Sequence, residues 1–195
     1  MIIGITGIFG CGKSTCVKLL KKFNLDVLDA DIICHQIYAE KDPGLIALLK
    51  KRWGAEILTE NGEINRKKIA EIVFTDKKEM DFLSETISPI IRKRILSQIS
   101  SYREKNLNLF VEIPLLFEEN YDKYLDKTVT IYASMDKRIS NLANRNYSID
   151  DIIARDKQQL PIEKKCELAD FVIINNGSIE LLENELKILI DNLKI

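Results

Sequence analysis

Short apolar stretches alternate along the chain with longer stretches in which apolar residues recur at helical spacing. The short stretches are rich in Val, Ile and Phe and end at Gly or polar residues, which is typical of β-strands. The predicted strands cover residues 1–6, 26–30, 107–113, 127–133 and 170–175. Because helical stretches separate them, the pattern predicts right-handed crossovers and an α/β fold, a five-stranded parallel sheet flanked by helices.

Polar residues at the beginning of three helical stretches predict how those helices start. Asn65, Ser148 and Ser178 are expected N-caps, because their side-chain oxygens can accept hydrogen bonds from the first-turn N–H groups. Asp151, three residues after Ser148, completes a variant capping box. The predicted helices cover residues 13–22, 43–52, 66–74, 77–103 with a break near Pro89, 149–157, and the stretch after Ser178. One face of the last helix is expected to pack in the core through Ile179, Leu182, Leu186, Leu189, Ile190 and Leu193.

The spacing of the strands predicts where helical insertions lie. About 75 residues separate the second strand from the third, far more than a crossover helix needs. We therefore expect a single domain whose core comprises residues 1–40, 104–135 and 166–195. A helical insertion would occupy residues 41–103, and a second, smaller helical excursion would occupy residues 136–165.

Composition excludes several classes of protein. The chain has 195 residues, with 29 Lys+Arg, 30 Asp+Glu and a formal net charge of −1, which argues against a general nucleic-acid binder. A single His, His35, excludes a multi-histidine metal site. No apolar stretch is long enough to span a membrane, no signal peptide is visible, and the four cysteines lack metal-site spacing. These features predict a cytoplasmic protein with reduced thiols.

The strongest motif is a phosphate-binding loop. Residues 7–14 match G-x-x-x-x-G-K-[ST] completely, between a predicted strand and a predicted helix, as the mechanism of the loop requires. Backbone N–H groups of such a loop converge on phosphate oxygens at the positive end of the helix. Lys13 is expected to reach the β- and γ-phosphates, and the Ser14 hydroxyl is expected to bind Mg²⁺.

Two carboxylates follow the second predicted strand. Asp29 and Asp31 would point to the same side if the strand continues through both, at the sheet edge where ligands of parallel α/β proteins bind. One of them could then accept the proton of an alcohol or orient it for attack on the γ-phosphate. Alternatively, either carboxylate serves as the N-cap of the next helix.

Three segments carry a resemblance to a known family. Ile5-Thr6-Gly7 runs into the phosphate loop, Asp29-Ala30-Asp31 follows, and Pro114-Leu115-Leu116-Phe117-Glu118 comes later. In this order they resemble the dephospho-coenzyme A kinases, in the nucleoside and nucleotide kinase branch of P-loop proteins. The resemblance covers most of residues 1–177. It implies a three-layer P-loop kinase fold and transfer of the γ-phosphoryl group of ATP to the ribose 3′-hydroxyl of dephospho-CoA, the last step of coenzyme A biosynthesis.

The resemblance also implies roles for individual residues. Asp31 is the expected base, with Asp29 beside it as a substrate contact, and Arg145 is the expected lid arginine over the phosphates. Pro114 and Leu115 would line the acceptor pocket, and Glu112 would hold Mg²⁺ through water. The residues expected to bind ATP are Gly10, Cys11, Gly12, Lys13, Ser14, Thr15 and, near the adenine, Asn175. Arg138 and Arg155 stay open between a lid role and a solvated surface.

The chain departs from the family pattern at three positions. Cys11 lies in the phosphate loop, where Ser is common in the family. Ser88 precedes Pro89 where the family usually has His, and His35 stands where relatives more often have Arg.

A kinase for another small alcohol or nucleotide is one alternative function, and a nucleotide-switch protein is another. An Asn-Lys-x-Asp guanine motif is absent, which favours a kinase over a switch. The expected partners are ATP and dephospho-CoA, without nucleic acid or membrane, and a monomer is favoured while the oligomeric state stays open.

Overall fold

A parallel sheet of five strands organises the fold in a computed structural model, which describes residues 1–145 and 147–195. The strands are β1 (Ile2–Thr6), β2 (Val27–Asp29), β3 (Leu109–Glu112), β4 (Lys127–Tyr132) and β5 (Phe171–Ile174). Their spatial order is β2-β3-β1-β4-β5, and every neighbouring pair is parallel. The five predicted strands and the α/β class are therefore confirmed.

Nine α-helices connect and follow the strands in the described part of the chain. They are α1 (Lys13–Lys22), α2 (Ala30–Ala39), α3 (Pro43–Trp53), α4 (Arg66–Val73), α5 (Lys77–Glu104), α6 (Met135–Leu142), α7 (Ile149–Asp156), α8 (Ile162–Leu168) and α9 (Ile179–Leu193). Short 3₁₀ turns lie at Ala55–Ile57, Asp122–Tyr124 and Ala143–Arg145. Among the residues described, none of these helices is both long enough and apolar enough to cross a membrane.

The chain divides into two compact units. The first comprises Met1–Asp29 and Ile99–Ile195, and the second comprises Ala30–Gln98. The second unit contains most of the insertion expected over residues 41–103, and it begins earlier because α2 belongs to it. The excursion expected over residues 136–165 belongs to the first unit and includes residue 146, which lies outside the described residues.

The main core of the first unit joins one face of the sheet to three helices. Ile3 and Ile5 of β1 are almost fully buried, at 0% and 1% exposure. They pack in one cluster with residues of α1, α8 and α9, among them Leu20, Ile162 and Leu186. Burying an Ile or Leu side chain contributes about 1.5–3 kcal/mol. The core therefore fixes β1 and α1, which are the two elements that flank the phosphate loop.

The second unit is a helical assembly with its own buried residues. Leu45, Leu49 and Trp53 form the buried face of α3. The carboxylate of Glu79 accepts hydrogen bonds from the indole N–H of Trp53 (2.7 Å) and from the guanidinium of Arg52 (2.9 and 2.6 Å). These contacts join α3 to the first turn of α5.

The predicted caps are correct, whereas the predicted break at Pro89 is wrong. The side chains of Asn65, Ser148 and Ser178 accept hydrogen bonds from first-turn N–H groups, and Asp151 completes the capping box with Ser148. The helix α5 runs unbroken through Pro89. A proline removes one backbone hydrogen bond from a helix, but burial of neighbouring side chains, including Ile87, stabilises the turns around it.

Two further details of the predicted elements need correction, one in the helix α9 and one in the strand β2. The face expected for α9 is buried at Leu182, Leu186, Leu189 and Leu193. Ile179, however, is 53% exposed, because it lies in the first turn of the helix, beyond the edge of the core. The second strand ends at Asp29 and α2 begins at once with Ala30, so the strand does not continue through Asp31.

Candidate active site

The phosphate loop connects the end of β1 to the start of α1, as the motif predicts. Gly12 occupies the N-cap position with φ at 100°, and Gly10 has φ at 80°. Both values lie in the left-handed region, which glycine adopts far more readily than other residues. The first turn of α1 has neither a side-chain cap nor an acidic residue, so no side chain of its own competes with an anion at the positive end of the helix.

Three consecutive carbonyl groups of the loop accept hydrogen bonds from distant side chains. The guanidinium Nε of Arg138 donates to the carbonyl of Phe9 (2.7 Å), and the side-chain amides of Asn141 and Asn175 donate to those of Gly10 and Cys11, both at 2.9 Å. We call these three side chains the carbonyl clamp. In a planar trans peptide the N–H points opposite to the carbonyl. The clamp therefore fixes the three peptide planes, with the next N–H groups directed away from the clamping side chains.

Arg138 is held rigidly in its place in the clamp. Its side chain is 4% exposed, and its guanidinium forms a two-pronged ion pair with the carboxylate of Asp156, at 2.8 and 2.6 Å. This geometry uses the planar fork of arginine and fixes its orientation. The ion pair thus joins Arg138 on α6 to Asp156 on α7. The sequence left a solvated surface position open for Arg138, and its burial excludes that position.

The other two arginines of the expected lid region lie on the surface or against the loop. Arg145 ends the 3₁₀ turn at Ala143–Arg145 and is exposed to solvent. The guanidinium of Arg155 lies 4.6 Å from the ring centroid of Phe9 and 5.1 Å from that of Tyr147. The two rings meet edge to face at 5.0 Å. Arg155 therefore packs against the side chain of a phosphate-loop residue through cation–π contacts.

The expected phosphate-binding residues lie together at the start of α1. The ammonium group of Lys13 donates to the carbonyls of Gly7 (2.8 Å) and Ile8 (3.2 Å), so the side chain folds back over the loop. Ser14 is exposed and Thr15 is half-buried, both in the first turn. Cys11 is fully buried, so its contribution to a ligand is restricted to its backbone.

The structure places the expected carboxylates at the ends of neighbouring strands and in the following helix. Asp29 ends β2 and is the register partner of Glu112, which ends β3 and is itself aligned with Ile5 of β1. Glu112 is 5% exposed and Asp29 is half-buried. Asp31 is exposed in the first turn of α2. Carboxylate oxygens at Asp29 and Glu112 are ligands that suit a hard cation such as Mg²⁺.

The turn after β3, residues 114–118, is attached to the core through a backbone group. We call it the Pro114 turn. The carbonyl of Pro114 accepts hydrogen bonds from the hydroxyl of Thr6 (3.0 Å) and from the ammonium group of Lys165 (2.7 Å). Pro114 and Leu115 are half-buried, whereas Leu116 is fully buried. The turn thus lies next to Thr6, the last residue before the phosphate loop.

Sequence reasoning missed several residues of this site. Asn141 completes the carbonyl clamp, Asp156 orients Arg138, and Lys165 contacts the Pro114 turn. Asn175, which is expected near adenine, also donates its side-chain amide to the phosphate loop, a contact that the sequence did not indicate. A capping or turn pattern would not have revealed these contacts, because each joins segments far apart in the sequence.

Comparison with solved structures identifies the fold class of the chain. Shikimate kinase from Acinetobacter baumannii superposes with a TM-score of 0.54 at 16% sequence identity, over 99% of this chain and 93% of that one. At that identity the similarity concerns the fold alone. The five-stranded parallel sheet flanked by helices is the fold of the P-loop kinases.

Closer relatives specify the family. The family model described as dephospho-CoA kinase, CoaE, matches residues 1–180. A protein of Enterococcus faecalis named dephospho-CoA kinase is 36% identical over 187 residues, which cover 95% of this chain and 94% of that protein. The structure of dephospho-CoA kinase from Campylobacter jejuni has a TM-score of 0.76 at 30% identity, over 98% and 96% of the two chains. The chain belongs to the dephospho-CoA kinase family and is an ATP-dependent kinase, a transferase.

Proposed function

We propose that this protein transfers the γ-phosphoryl group of ATP to the ribose 3′-hydroxyl of dephospho-CoA, giving coenzyme A and ADP. The observation that carries the proposal is the braced phosphate loop, in a chain that matches the dephospho-CoA kinase family over residues 1–180. The loop supports binding of a polyphosphate nucleotide. Family membership supports the identity of the acceptor.

The phosphate loop and the start of α1 would bind the phosphates of ATP. The backbone N–H groups of Gly10, Gly12 and the first turn supply dipoles directed at the anion. On nucleotide binding the ammonium group of Lys13 would exchange the carbonyls of Gly7 and Ile8 for the β- and γ-phosphates. Arg145, exposed beside the loop-bearing core, would close over the phosphates and neutralise the charge that spreads onto the transferred group.

Asp31 would act on the acceptor hydroxyl. Its carboxylate lies at the start of α2, two residues after Asp29 at the end of β2. We propose that Asp31 accepts the proton of the 3′-hydroxyl as the oxygen attacks the γ-phosphorus, while Asp29 helps to orient the acceptor. Pro114 and Leu115 would contact the acceptor from the Pro114 turn.

Mg²⁺ is the cation that the oxygen donors fit. We propose that the hydroxyl of Ser14 and the carboxylate of Glu112 hold it, with Glu112 acting through water. Carboxylate, hydroxyl and phosphate oxygens are the ligands that Mg²⁺ prefers, and it usually keeps several waters. When bound, the ion supplies neutralisation of charge on the phosphates.

The division of labour along the chain is also a proposal. The core of residues 1–40, 104–135 and 166–195 would bind ATP, the insertion over 41–103 would bind the acceptor, and the excursion over 136–165 would serve as a lid. A cytoplasmic location, a monomeric state and the absence of nucleic-acid partners stay predictions from the sequence.

An acceptor-dependent ADP assay tests the proposed reaction. Purified protein with ATP and Mg²⁺ should form ADP when dephospho-CoA is added and should not when coenzyme A replaces it, because coenzyme A has no free 3′-hydroxyl. No ADP above the acceptor-free blank would overturn the proposal. Turnover with another small alcohol or nucleotide, and none with dephospho-CoA, would favour the first alternative, whereas hydrolysis independent of any acceptor would favour a nucleotide switch.

A further inference from the structure

Lys165 is a fully buried cation whose hydrogen bonds are all made within the protein. Its side chain is 0% exposed on α8. The ammonium group contacts the carbonyl of Pro114 at 2.7 Å, the carboxylate of Glu118 at 2.9 Å and the side-chain oxygen of Gln159 at 3.0 Å. An ammonium group has three N–H donors, so these three acceptors use it completely.

The first of these contacts joins Lys165 to the base of the phosphate loop. The carbonyl of Pro114 accepts from Lys165 and also from the hydroxyl of Thr6, at 3.0 Å. Thr6 is 0% exposed and is the last residue of β1 before the loop begins. One backbone oxygen therefore connects β1, the Pro114 turn and α8.

The remaining contacts join Lys165 to the segment between α7 and α8, residues 157–161. Gln159 contacts the ammonium group directly, and the backbone N–H of Leu160 donates to Glu118 at 2.8 Å. Glu118 thus accepts from Lys165 and from Leu160 through the same oxygen, and it lies at the far end of the Pro114 turn. Both ends of the turn and the segment after α7 are attached to a single ammonium group.

A buried ion pair of this kind is a poor device for stability alone. Desolvation of the two charges offsets much of their attraction, and apolar replacements of similar volume are often neutral or stabilising. Burial lowers the pKa of Lys165, whereas the contact with Glu118 opposes that shift. Fixing the positions of three segments is a role that an apolar pair could not perform, because it offers no directional contacts.

We propose that Lys165 is a positioning residue for the acceptor: its ammonium group holds the Pro114 turn at the distance from β1 that the reaction needs. The role rests on the proposed function, in which Pro114 and Leu115 contact dephospho-CoA. Lys165 acts through the Pro114 carbonyl and does not touch the reacting atoms. Its loss should therefore affect the acceptor much more than ATP.

Two variants test this role separately from folding. Lys165→Met removes the cation but leaves Glu118 charged and buried, which should lower the melting temperature. The double variant Glu118→Gln/Lys165→Met removes both charges, so the melting temperature should return towards that of the wild type. In both variants we expect kcat/KM for dephospho-CoA to fall by roughly 100-fold, the scale set by a misplacement of about 1 Å, with the KM for ATP within about twofold.

A surface pair on the same helix provides the matched control. Lys164 and Glu167 form an exposed ion pair at 2.9 Å. The double variant Glu167→Gln/Lys164→Met should retain wild-type kinetics. Amide exchange at Leu160, whose N–H donates to Glu118, gives a readout independent of activity: it should speed up in Lys165→Met and stay slow in the control.

The outcomes separate this inference from the proposed function. A wild-type protein that does not phosphorylate dephospho-CoA would overturn the function. An active wild type whose Glu118→Gln/Lys165→Met variant recovers both its melting temperature and its acceptor kinetics would overturn only the positioning role. A rise in the KM for ATP as large as the loss in kcat/KM for dephospho-CoA would overturn it too.

Discussion

The side-chain amide of Asn175 donates a 2.9 Å hydrogen bond to the backbone carbonyl of Cys11, across 164 residues of sequence. The same amide lies close against the loop, because a Cβ added at Gly12 would clash with its nitrogen unless one of the two moved. Asn175 is 6% exposed and lies just after β5. A residue that follows the last strand, β5, therefore directly shapes the phosphate loop that follows the first strand, β1.

Replacing Asn175 with Asp should weaken ATP binding. The new carboxylate would present an acceptor to the carbonyl of Cys11, leaving two buried oxygens facing each other. Loss of a buried hydrogen bond with an unsatisfied partner costs about 1–3 kcal/mol, so the dissociation constant for ATP should rise by about tenfold or more. Calorimetric titration with ATP measures it.

The neighbouring asparagine is the control for that substitution. Asn176 accepts a hydrogen bond from the N–H of Ser134 through its side-chain oxygen, which Asp retains. Asn176→Asp should therefore bind ATP as the wild type does. Equal affinities of the two variants would contradict a specific role of the Asn175 amide.

Gly12→Ala should prevent the loop from adopting its present conformation. The substitution imposes a side chain at φ 100° and a contact with the Asn175 amide. Strained backbone of this kind costs about 1–3 kcal/mol before the contact is counted. Gly62→Ala is the matched control, since Gly62 also has positive φ (73°) but has no atom within 4 Å of an added Cβ. ATP affinity should fall in the Gly12 variant only, and a similar loss in both would refute the contact's importance.

Lys13→Ala should nearly abolish turnover. The ammonium group folds over the loop carbonyls and is the charge available there to the β- and γ-phosphates. Removing a group that stabilises transition-state charge typically lowers kcat by about 10²–10³-fold. Lys18→Ala, on the exposed face of α1, should leave kcat unchanged. Steady-state ADP formation distinguishes the two, and comparable rates would exclude Lys13 from the reaction.

Asp31→Asn should retain ATP binding while kcat falls by about 10²-fold or more, the usual contribution of a positioned base. Asp29→Asn should mainly raise the KM for dephospho-CoA, because Asp29 is proposed to orient the acceptor. Each variant replaces one carboxylate oxygen of the wild type by an amide NH2 group, and the two substituted positions are two residues apart in the chain. A kcat loss in Asp29→Asn with none in Asp31→Asn would reverse the assignment.

Asp170 should make the stability of the β4–β5 pair depend on acidity. Burial alone would raise the pKa of Asp170, but hydrogen bonds from Lys127 and from Thr128 hold that pKa below its usual range. Because this pKa is lowered in the folded protein, Asp170 contributes to the free energy of unfolding. That contribution is fully present above the pKa of the unfolded state, near 4, and is lost as the pH falls through the pKa of the folded state.

Chemical denaturation between neutral and acidic pH tests this expectation. The wild type should lose unfolding free energy as the solution is acidified, and Asp170→Asn should lose less over the same range. Asp150→Asn, an exposed change on α7, should follow the wild type. Identical acid dependence of Asp170→Asn and the wild type would show that Asp170 does not couple folding to pH.

Elements whose causes are local could be predicted from the sequence. The helix α1 has the predicted bounds, and the caps at Asn65 and Ser178 are confirmed, because a cap depends on residues within one turn. The break at Pro89 was wrong because packing of α5 outweighed a local rule. The strand was expected to reach Ala30, yet α2 begins there, a boundary that the alternative of Asp29 as the residue before a helix had allowed.

The residues of the site also divide into those that a local pattern predicts and those that only the folded chain brings together. The phosphate loop has fixed spacing, so its residues could be read directly from the sequence. Lys165 could not, since it follows Glu163 and Lys164 in a run of charged residues that resembles a solvated helix face. Its burial depends on Glu118 and Gln159, which only the folded chain brings to it.

The carbonyl clamp also bears on how the protein matures during synthesis. The phosphate loop leaves the ribosome more than 120 residues before the side chains that brace it, which belong to residues 138, 141 and 175. A nascent chain thus carries the complete motif long before it has the groups that orient it. Nucleotide affinity should appear late in translation, after residue 175 has emerged, so that premature termination releases fragments unable to sequester ATP.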